Sequence, residues 1–282
     1  MKSIKKICLL LRCLGLLIFF WPGHLVAKNI GHRLGGDYFP SLPENSLLVL
    51  ETSLKGHEDE SPIVLHRDFK YAEFDIQETY DGELVVFHDK TFSRMLPSVG
   101  QNVEVYDSII ANIYQRIGKK IKAKDIRMKY VTLEEAQSLQ LRGAGEEFPP
   151  TLEEVLDLAR DNQISKPLVV EIKYLQTDNA RTKLVDIVRE YQDNFGQFAE
   201  IVHLHDFPGS RSIQFLAFTK KFKSSFPSTR SRQIFCKMIK DAGLGGIYKA
   251  GKHGYNHCAS YTGDVIKKKK KKKKKRKWWK FW

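Results

Sequence analysis

The chain has little of what membrane-spanning and cysteine-rich proteins contain. Its longest uninterrupted apolar run, residues 13–21, has nine residues, whereas a transmembrane helix needs about 20. Four cysteines are present, without a spacing typical of a metal site. Two of them fall within the first 27 residues, which leaves Cys236 and Cys258. Two cysteines do not make a disulfide framework, and the sequence leaves open whether they pair. Internal repeats and a glycine-rich phosphate loop are also absent.

Basic charge is concentrated at the two ends of the chain. The net charge is +14, the last sixteen residues hold twelve positive charges, and the first 27 hold four. Neither end contains an acidic residue, so residues 28–266 carry a net charge of −2. The body of the protein is therefore near neutral, and its composition does not predict a partner such as nucleic acid.

The N-terminal segment has the order of an export signal. Three lysines within the first six residues precede an apolar stretch over residues 7–21. A possible cleavage site with small residues follows and ends at Ala27. This order predicts a signal peptide over residues 1–27 that is removed after Ala27, and an uncleaved anchor is the alternative. We therefore expect an exported protein, either periplasmic or secreted.

The C-terminal segment, residues 267–282, begins with nine consecutive lysines and ends with tryptophan and phenylalanine. A run of like charges repels itself, so this tail is expected to be disordered. Two explanations stand: a tag for anionic membrane surfaces, or the product of a slipped reading frame. Contact with a membrane is expected only if this tail or an uncleaved signal is real.

The body, residues 28–266, alternates apolar runs with helical patterns. Strands are predicted at residues 72–76, 83–87, 167–172, 201–204 and 213–218. Thr132 and Thr151 are each followed three residues later by glutamate, which is the pattern of a capping box at a helix start. This alternation favours an α/β fold with a parallel sheet covered by helices. A (β/α)8 barrel and an open doubly wound sheet both fit.

Charged residues on two of the predicted strands indicate a metal site. Glu73 and Asp75 point to the same side of one strand, where two carboxylates repel each other. A hard divalent cation would relieve that repulsion. Glu171 and Lys173 show the same spacing at the end of another strand.

Two histidines add titratable groups near neutral pH. His32 lies beside Arg33 in Gly31-His32-Arg33, and His88 ends an apolar run. Arg33 is a planar cation suited to phosphate oxygens. Acids, histidines and cations at strand ends together predict a metal-assisted acid/base attack on a phosphate ester.

Six motifs occur in a familiar order: GHR, PENS, EFD, DGELVVFHDKTFSR, PPTLEEVLDL and LVVEIK. In this order the chain closely resembles the glycerophosphodiester phosphodiesterase family over about residues 29–220. The resemblance implies a (β/α)8 TIM barrel with its site at the carboxyl ends of the strands. It also implies roles for nine residues. These are His32 and His88 as the acid/base pair, Glu73, Asp75 and Glu171 as ligands of one Mg2+ or Ca2+, Arg33 and Lys173 as phosphate-binding residues, Glu44 as support for the metal or Arg33, and Asn45 in ordering the loop.

The family resemblance implies hydrolysis of small glycerophosphodiesters, such as glycerophosphocholine or glycerophosphoethanolamine, to glycerol 3-phosphate and an alcohol. Whether water or the glycerol's own hydroxyl attacks is left open. One alternative is a barrel phosphodiesterase that acts on lysophospholipid or another lipid headgroup. The other is an inactive, truncated family member that serves as a surface module.

The match to the family weakens after about residue 220. Either the barrel has divergent closing strands, or the reading frame is lost there and the last one or two strands are missing. Residues 91–150 lie between the second and third predicted strands and are long for a barrel connection. They are expected to form a small insertion over the mouth of the site.

Overall fold

A computed structural model gives the structure of the chain. It describes residues 29–56, 61–97, 103–164, 166–195, 213–217, 223–226, 228–244, 246–249 and 256–261. The predicted export signal, the basic tail and the strand predicted at residues 201–204 lie outside the described residues. Among the described residues, no helix is both long enough and apolar enough to cross a membrane.

Strands and helices alternate along most of the described chain. The strands are β1 (Ala72–Glu78), β2 (Leu84–Val86), β3 (Leu168–Tyr174), β4 (Ile213–Ala217) and β5 (Ile247–Lys249). The helices are α1 (Leu47–Lys55), α2 (Val103–Ile117), α3 (Leu133–Gln137), α4 (Leu152–Asp161), α5 (Asp178–Phe195) and α6 (Thr229–Asp241). Four of the five predicted strands are thus confirmed, and the prediction of an α/β protein is confirmed with them.

Helix starts follow the sequence signals. Thr132 caps α3 and Thr151 caps α4, each through a complete capping box with the glutamate three residues later. The Ser46 side chain caps α1 by accepting a hydrogen bond from the Val49 backbone N–H. A capped first turn satisfies backbone donors that have no partner within the helix. These caps fix where each helix begins relative to the strand ends.

The five strands form one sheet in the order β2-β1-β3-β4-β5. β2 is antiparallel to β1, and the other neighbours are parallel. Within the described residues β2 and β5 are the two edges and do not pair, so this part of the sheet is open. The closed eight-stranded barrel therefore remains a prediction.

The two faces of the sheet differ in chemistry. Phe74, Val170 and Phe215 lie on one face and belong to the main hydrophobic core, together with helix residues such as Leu156 and Leu184. Because side chains alternate along a strand, the residues between them face the other way. That second face carries two acidic residues of β1, and one acidic residue and one lysine of β3.

The segment between β2 and β3 has a hydrophobic core of its own. Phe92, Ile113 and Ile126 are fully buried there and cluster with Val85 and Phe87 at the end of β2. This second core lies against the edge of the sheet that β2 forms. It fixes the chain that follows His88.

The part of the chain after residue 220 continues the same architecture. β5 pairs in parallel with β4, and α6 contributes buried Phe235 and Ile239 to the main core. Cys236 and Cys258 form a disulfide bond, which settles the pairing that the sequence left open. The described residues between 223 and 261 are therefore part of this fold.

Candidate active site

The turn that follows Gly31 positions two of the predicted site residues. Glu73 donates its backbone N–H to the Gly31 carbonyl oxygen over 2.9 Å, so the chain before His32 runs beside β1. A Cβ atom on Gly31 would lie 2.1 Å from the Tyr71 carbonyl oxygen, too close for any side chain. Arg33 then turns the chain and donates its backbone N–H to Glu73 Oε2 over 3.1 Å. His32 and Arg33 are thereby held at the charged face of β1.

Three buried carboxylates meet on that face. Glu73, Asp75 and Glu171 are 2%, 0% and 4% exposed, and each offers an oxygen within 4.8 Å of the others. The parallel register of β1 and β3 pairs Asp75 with Glu171. Glu73 lies two residues before Asp75 and so points the same way. The structure thus brings the three predicted metal ligands together.

Lys173 places a positive charge among these acids. Its Nζ lies 2.9 Å from Asp75 Oδ1 and 2.7 Å from Glu171 Oε1. Burial lowers the pKa of the Lys173 ammonium, but the charges of Asp75 and Glu171 outweigh it and raise that pKa above its usual value. Lys173 therefore stays charged at neutral pH.

One ammonium does not balance three carboxylates. Burial, and then the charges of Asp75 and Glu171, raise the pKa of Glu73 well above its usual value. Burial also raises the pKa of Glu171, against the opposing effect of Lys173. Additional positive charge at this place would therefore be stabilising.

The oxygen atoms of the three acids fit a hard divalent cation. Glu73 Oε1 is buried and accepts no hydrogen bond from the described residues, which is a costly state for a carboxylate oxygen. Carboxylate oxygens are the ligands that Mg2+ and Ca2+ prefer. This cluster can therefore hold such an ion.

His32 lies between two carboxylates. Its Nδ1 is 3.0 Å from Asp37 Oδ2, and its Nε2 is 3.5 Å from Glu73 Oε2. A carboxylate oxygen near each ring nitrogen gives an acceptor to an N–H on either nitrogen. His32 is about one-third exposed, so its side chain is accessible from solvent.

His88 has a different environment. Arg33 Nη2 lies 2.9 Å from His88 Nε2, and Asp89 Oδ1 lies 2.7 Å from His88 Nδ1. A guanidinium can only donate, so His88 Nε2 must accept and the proton must lie on Nδ1, where it is donated to Asp89. In this arrangement His88 presents a lone pair on Nε2 to Arg33.

Two supporting residues follow one another in the chain. Glu44 Oε2 accepts a hydrogen bond from Arg33 Nη1 over 2.8 Å. Asn45 Nδ2 donates to Asp75 Oδ2 over 2.9 Å, and Asn45 Oδ1 accepts from the Asp75 backbone N–H. Glu44 thus orients Arg33 rather than contacting the acidic cluster, and Asn45 holds a metal-ligand candidate directly. All nine predicted residues belong to one connected set.

Three contributors were not assigned a role from the sequence: Asp37, Asp89 and Arg94. Asp89 follows His88 directly, and Arg94 ends the motif that contains His88, so motif reading could have indicated both. Arg94 donates to Asp89 and to Glu44. Asp37 offers no comparable signal, because its contact with His32 depends on the fold of the turn.

A family model of the glycerophosphoryl diester phosphodiesterase family matches residues 32–219, two thirds of the chain. The chain belongs to this family. Its members are hydrolases, so the resemblance and the enzyme class predicted from the sequence are confirmed. The match covers all nine predicted site residues.

Solved structures resemble the chain more distantly. A glycerophosphodiester phosphodiesterase from Agrobacterium tumefaciens is 16% identical with a TM-score of 0.41, and the match covers 74% of this chain and 62% of that one. One from Thermotoga maritima is 18% identical with a TM-score of 0.37, over 78% and 71% of the two chains. An Oleispira antarctica phosphodiesterase in complex with sn-glycerol-3-phosphate is 16% identical with a TM-score of 0.37, over 84% and 87%. No curated protein matches significantly.

Proposed function

We propose that the chain is an exported, metal-dependent phosphodiesterase that hydrolyses small glycerophosphodiesters, such as glycerophosphocholine, to glycerol 3-phosphate and an alcohol. The observation that carries this proposal is the meeting of three buried carboxylates with two histidines, Arg33 and Lys173 in one site. Membership of the family supports the same reaction. A closed (β/α)8 barrel is part of the proposal.

Glu73, Asp75 and Glu171 would hold one Mg2+ or Ca2+. Bound there, the ion would polarise a phosphoryl oxygen and lower the pKa of a hydroxyl. Lys173 lies against Asp75 and Glu171, so its charge would offset part of their negative charge beside the ion. Its ammonium would stabilise charge that develops on the phosphate oxygens.

Arg33 is suited to bind the substrate phosphate. Its Nε is buried and has no acceptor among the described residues, although its two terminal nitrogens are hydrogen-bonded. A phosphate oxygen would satisfy that donor, and planar guanidinium groups match phosphate geometry.

The two histidines would divide the proton transfers. His88 presents its Nε2 lone pair, so it would take the proton of the attacking hydroxyl after Arg33 Nη2 has moved to the phosphate. His32, with a carboxylate near each ring nitrogen, would donate a proton to the departing alkoxide. Asp89 would stabilise the His88 imidazolium that forms.

Export is also part of the proposal. The lysine-led apolar segment at the N-terminus supports it. The Cys236–Cys258 disulfide supports it as well, because such bonds persist in oxidising compartments such as the periplasm or the cell exterior.

The test is release of glycerol 3-phosphate from glycerophosphocholine by the full chain, with and without chelator. We expect chelator to stop release and Mg2+ or Ca2+ to restore it. Replacement of either histidine, in His32→Ala or His88→Ala, should reduce turnover by at least about 100-fold, as is usual for acid/base groups. Half-exposed His66 lies outside the site, so His66→Ala is the matched control.

The outcomes distinguish the candidate functions. Chelator-resistant release, or unchanged turnover in His32→Ala, would contradict the proposed mechanism. Activity on lysophospholipid vesicles alone would indicate a phosphodiesterase that acts on lipid headgroups. A folded, metal-binding protein without activity on either substrate would indicate an inactive surface module.

A further inference from the structure

Five side chains form a closed network beside the acidic cluster. Starting from His88, each member contacts the next until the circle returns to His88. The members in order are His88, Asp89, Arg94, Glu44 and Arg33, which contacts His88 again. We call this set the five-residue network. The proposed reaction assigns no role to Arg94.

Arg94 bridges two carboxylates that act on different site residues. Its Nε donates to Asp89 Oδ2 over 2.6 Å, its Nη1 donates to Glu44 Oε2 over 3.0 Å, and its Nη2 also bonds Glu44. Asp89 in turn accepts from His88, and Glu44 accepts from Arg33. Arg94 is thus linked to His88 through Asp89, and to Arg33 through Glu44.

Apart from His88, the members of the network alternate in sign along the ring. Burial of the Asp89 carboxyl opposes its ionisation, but hydrogen bonds from His88 and Arg94 outweigh it and hold its pKa far below the usual range. Hydrogen bonds from Glu44 and Asp89 raise the pKa of the Arg94 guanidinium above its usual value. Glu44, His88 and Asp89 could by spacing hold a metal ion, but the two guanidinium groups and His88 already bond the carboxylate oxygens.

A rigid support holds Arg94 in place. Arg94 is the last residue of the short 3-10 turn Phe92–Arg94, and Phe92, the first residue of that turn, is fully buried. The Phe92 ring stacks on Phe87, with 4.6 Å between their centroids. Phe87 precedes His88 directly, so one aromatic pair fixes both ends of the segment that carries His88 and Arg94.

We propose that Arg94 is a positioning residue for the phosphodiesterase reaction. It holds Asp89 and Glu44 in place, and through them it fixes the ring of His88 and the guanidinium of Arg33. This proposal rests on the proposed function. Displacement of reacting groups by about 1 Å can cost up to about 100-fold in rate, so the loss of Arg94 should be visible in turnover.

The test uses Arg94→Met, Arg94→Lys and the control Arg189→Met in the full chain. Arg189 is about as exposed as Arg94, and its carboxylate partner is Asp186. We expect Arg94→Met to lower kcat about 10- to 100-fold and to raise KM for glycerophosphocholine, since it releases both His88 and Arg33. Arg94→Lys should recover part of this loss, because an ammonium keeps the charge but lacks the planar fork. Arg189→Met should match the unmodified chain.

A double-mutant comparison separates positioning from direct contact. If Arg94 acts through Asp89, then Arg94→Met should cost much less in an Asp89→Asn background than in the unmodified chain. Fully additive losses would indicate that Arg94 acts elsewhere and would overturn the proposal.

The remaining outcomes are distinct. Lower kcat with unchanged KM in both Arg94 variants would indicate a smaller folded fraction and would overturn positioning, as would full activity of Arg94→Met. An unmodified chain that releases no glycerol 3-phosphate would contradict the proposed function itself. Thermal stabilisation by Mg2+ or Ca2+ should be the same with and without Arg94, because Arg94 does not contact the acidic cluster.

Discussion

The backbone of Arg33 and of Leu34 adopts the left-handed conformation, with φ angles of 53° and 62°. Residues other than glycine rarely adopt it. This conformation costs roughly 1–2 kcal/mol per residue, so local contacts must hold it. The Arg33 N–H bonds Glu73, and the Leu34 carbonyl oxygen accepts from the Ser53 hydroxyl. The same turn aims the Arg33 side chain at Glu44 and His88. One strained turn thus connects the metal-ligand candidates to Arg33, the predicted phosphate-binding residue.

A single carboxylate in the segment between β2 and β3 should make stability depend on pH. Burial opposes ionisation of Glu135, but hydrogen bonds from Arg116, Thr132 and Asn112 outweigh it and lower its pKa below the usual 4.5. A carboxyl group whose pKa is lower in the folded chain stabilises that chain at pH values above its pKa in the unfolded chain. This stabilisation is lost as the pH falls through its pKa in the folded chain. We expect Glu135→Gln to melt at a lower temperature than the unmodified chain at pH 7.

The difference in melting temperature between these two proteins should shrink as the pH is lowered below about 4.5. Thermal unfolding followed by circular dichroism at pH 7 and at acid pH measures it. Exposed Glu134 lies in the same helix and provides the control Glu134→Gln. A difference that stays constant with pH would contradict the expected role of Glu135.

Many of the individual site residues could be predicted from the sequence. Residue type and spacing indicated Glu73, Asp75 and Glu171, because alternation along a strand decides which side chains share a face. The contact of His32 with Asp37 was not visible, because it depends on backbone dihedrals that no local pattern indicates. The same holds for the bridging role of Arg94, which requires two segments 50 residues apart to meet.

The connection from β3 to α5 shows how one element is locked to its neighbours. Glu78, at the end of β1, accepts hydrogen bonds from the backbone N–H groups of Gln176 and Thr177. Arg181 in α5 is 5% exposed and donates to the carbonyl oxygens of Gln176 and Ser225, each over 3.0 Å. These contacts fix the loop that follows β3, two residues after Lys173.

Arg181→Met should therefore destabilise the chain by about 2–3 kcal/mol, because it removes charge-assisted hydrogen bonds and leaves buried carbonyl groups unpaired. Urea unfolding measures the change. Arg189→Met in the same helix is again the control and should change stability by less than about 0.5 kcal/mol. Equal midpoints for the two variants would show that Arg181 contributes no more than a surface arginine.

Strands differed in how well the sequence predicted them. β3 begins with an apolar, partly β-branched run, and β1 alternates apolar with polar residues, so their patterns predict them. β5 has three residues between glycine-rich stretches and was not predicted. Its pairing with β4 comes from tertiary contacts, which local propensity does not contain. The number of strands in the complete sheet was beyond sequence reasoning for the same reason.

At the scale of the whole molecule, the Cys236–Cys258 disulfide ties the last described turn to α6. The two cysteines are 22 residues apart in the chain and both are buried in the main core. Closing a loop of this length should contribute about 3 kcal/mol to stability. Cys258 also neighbours His257, whose Nε2 contacts the Ala217 carbonyl oxygen at the end of β4. The bond thus joins α6 to a turn that contacts the end of β4.

We expect a reducing agent to lower the urea concentration at which the chain unfolds, by an amount equivalent to about 3 kcal/mol. The double variant Cys236→Ala, Cys258→Ala should unfold at the lower concentration and should not respond to the reducing agent. Identical unfolding of the unmodified chain with and without reducing agent would contradict the prediction.

The pairing of β1 with β3 joins Asp75 to Glu171, which are 96 residues apart in the chain. Contacts between such distant residues form late in folding, because a long loop must close first. The three carboxylates therefore do not exist as a group until the centre of the sheet has assembled. Acquisition of ion binding during refolding would consequently mark the moment at which the two halves of the sheet join.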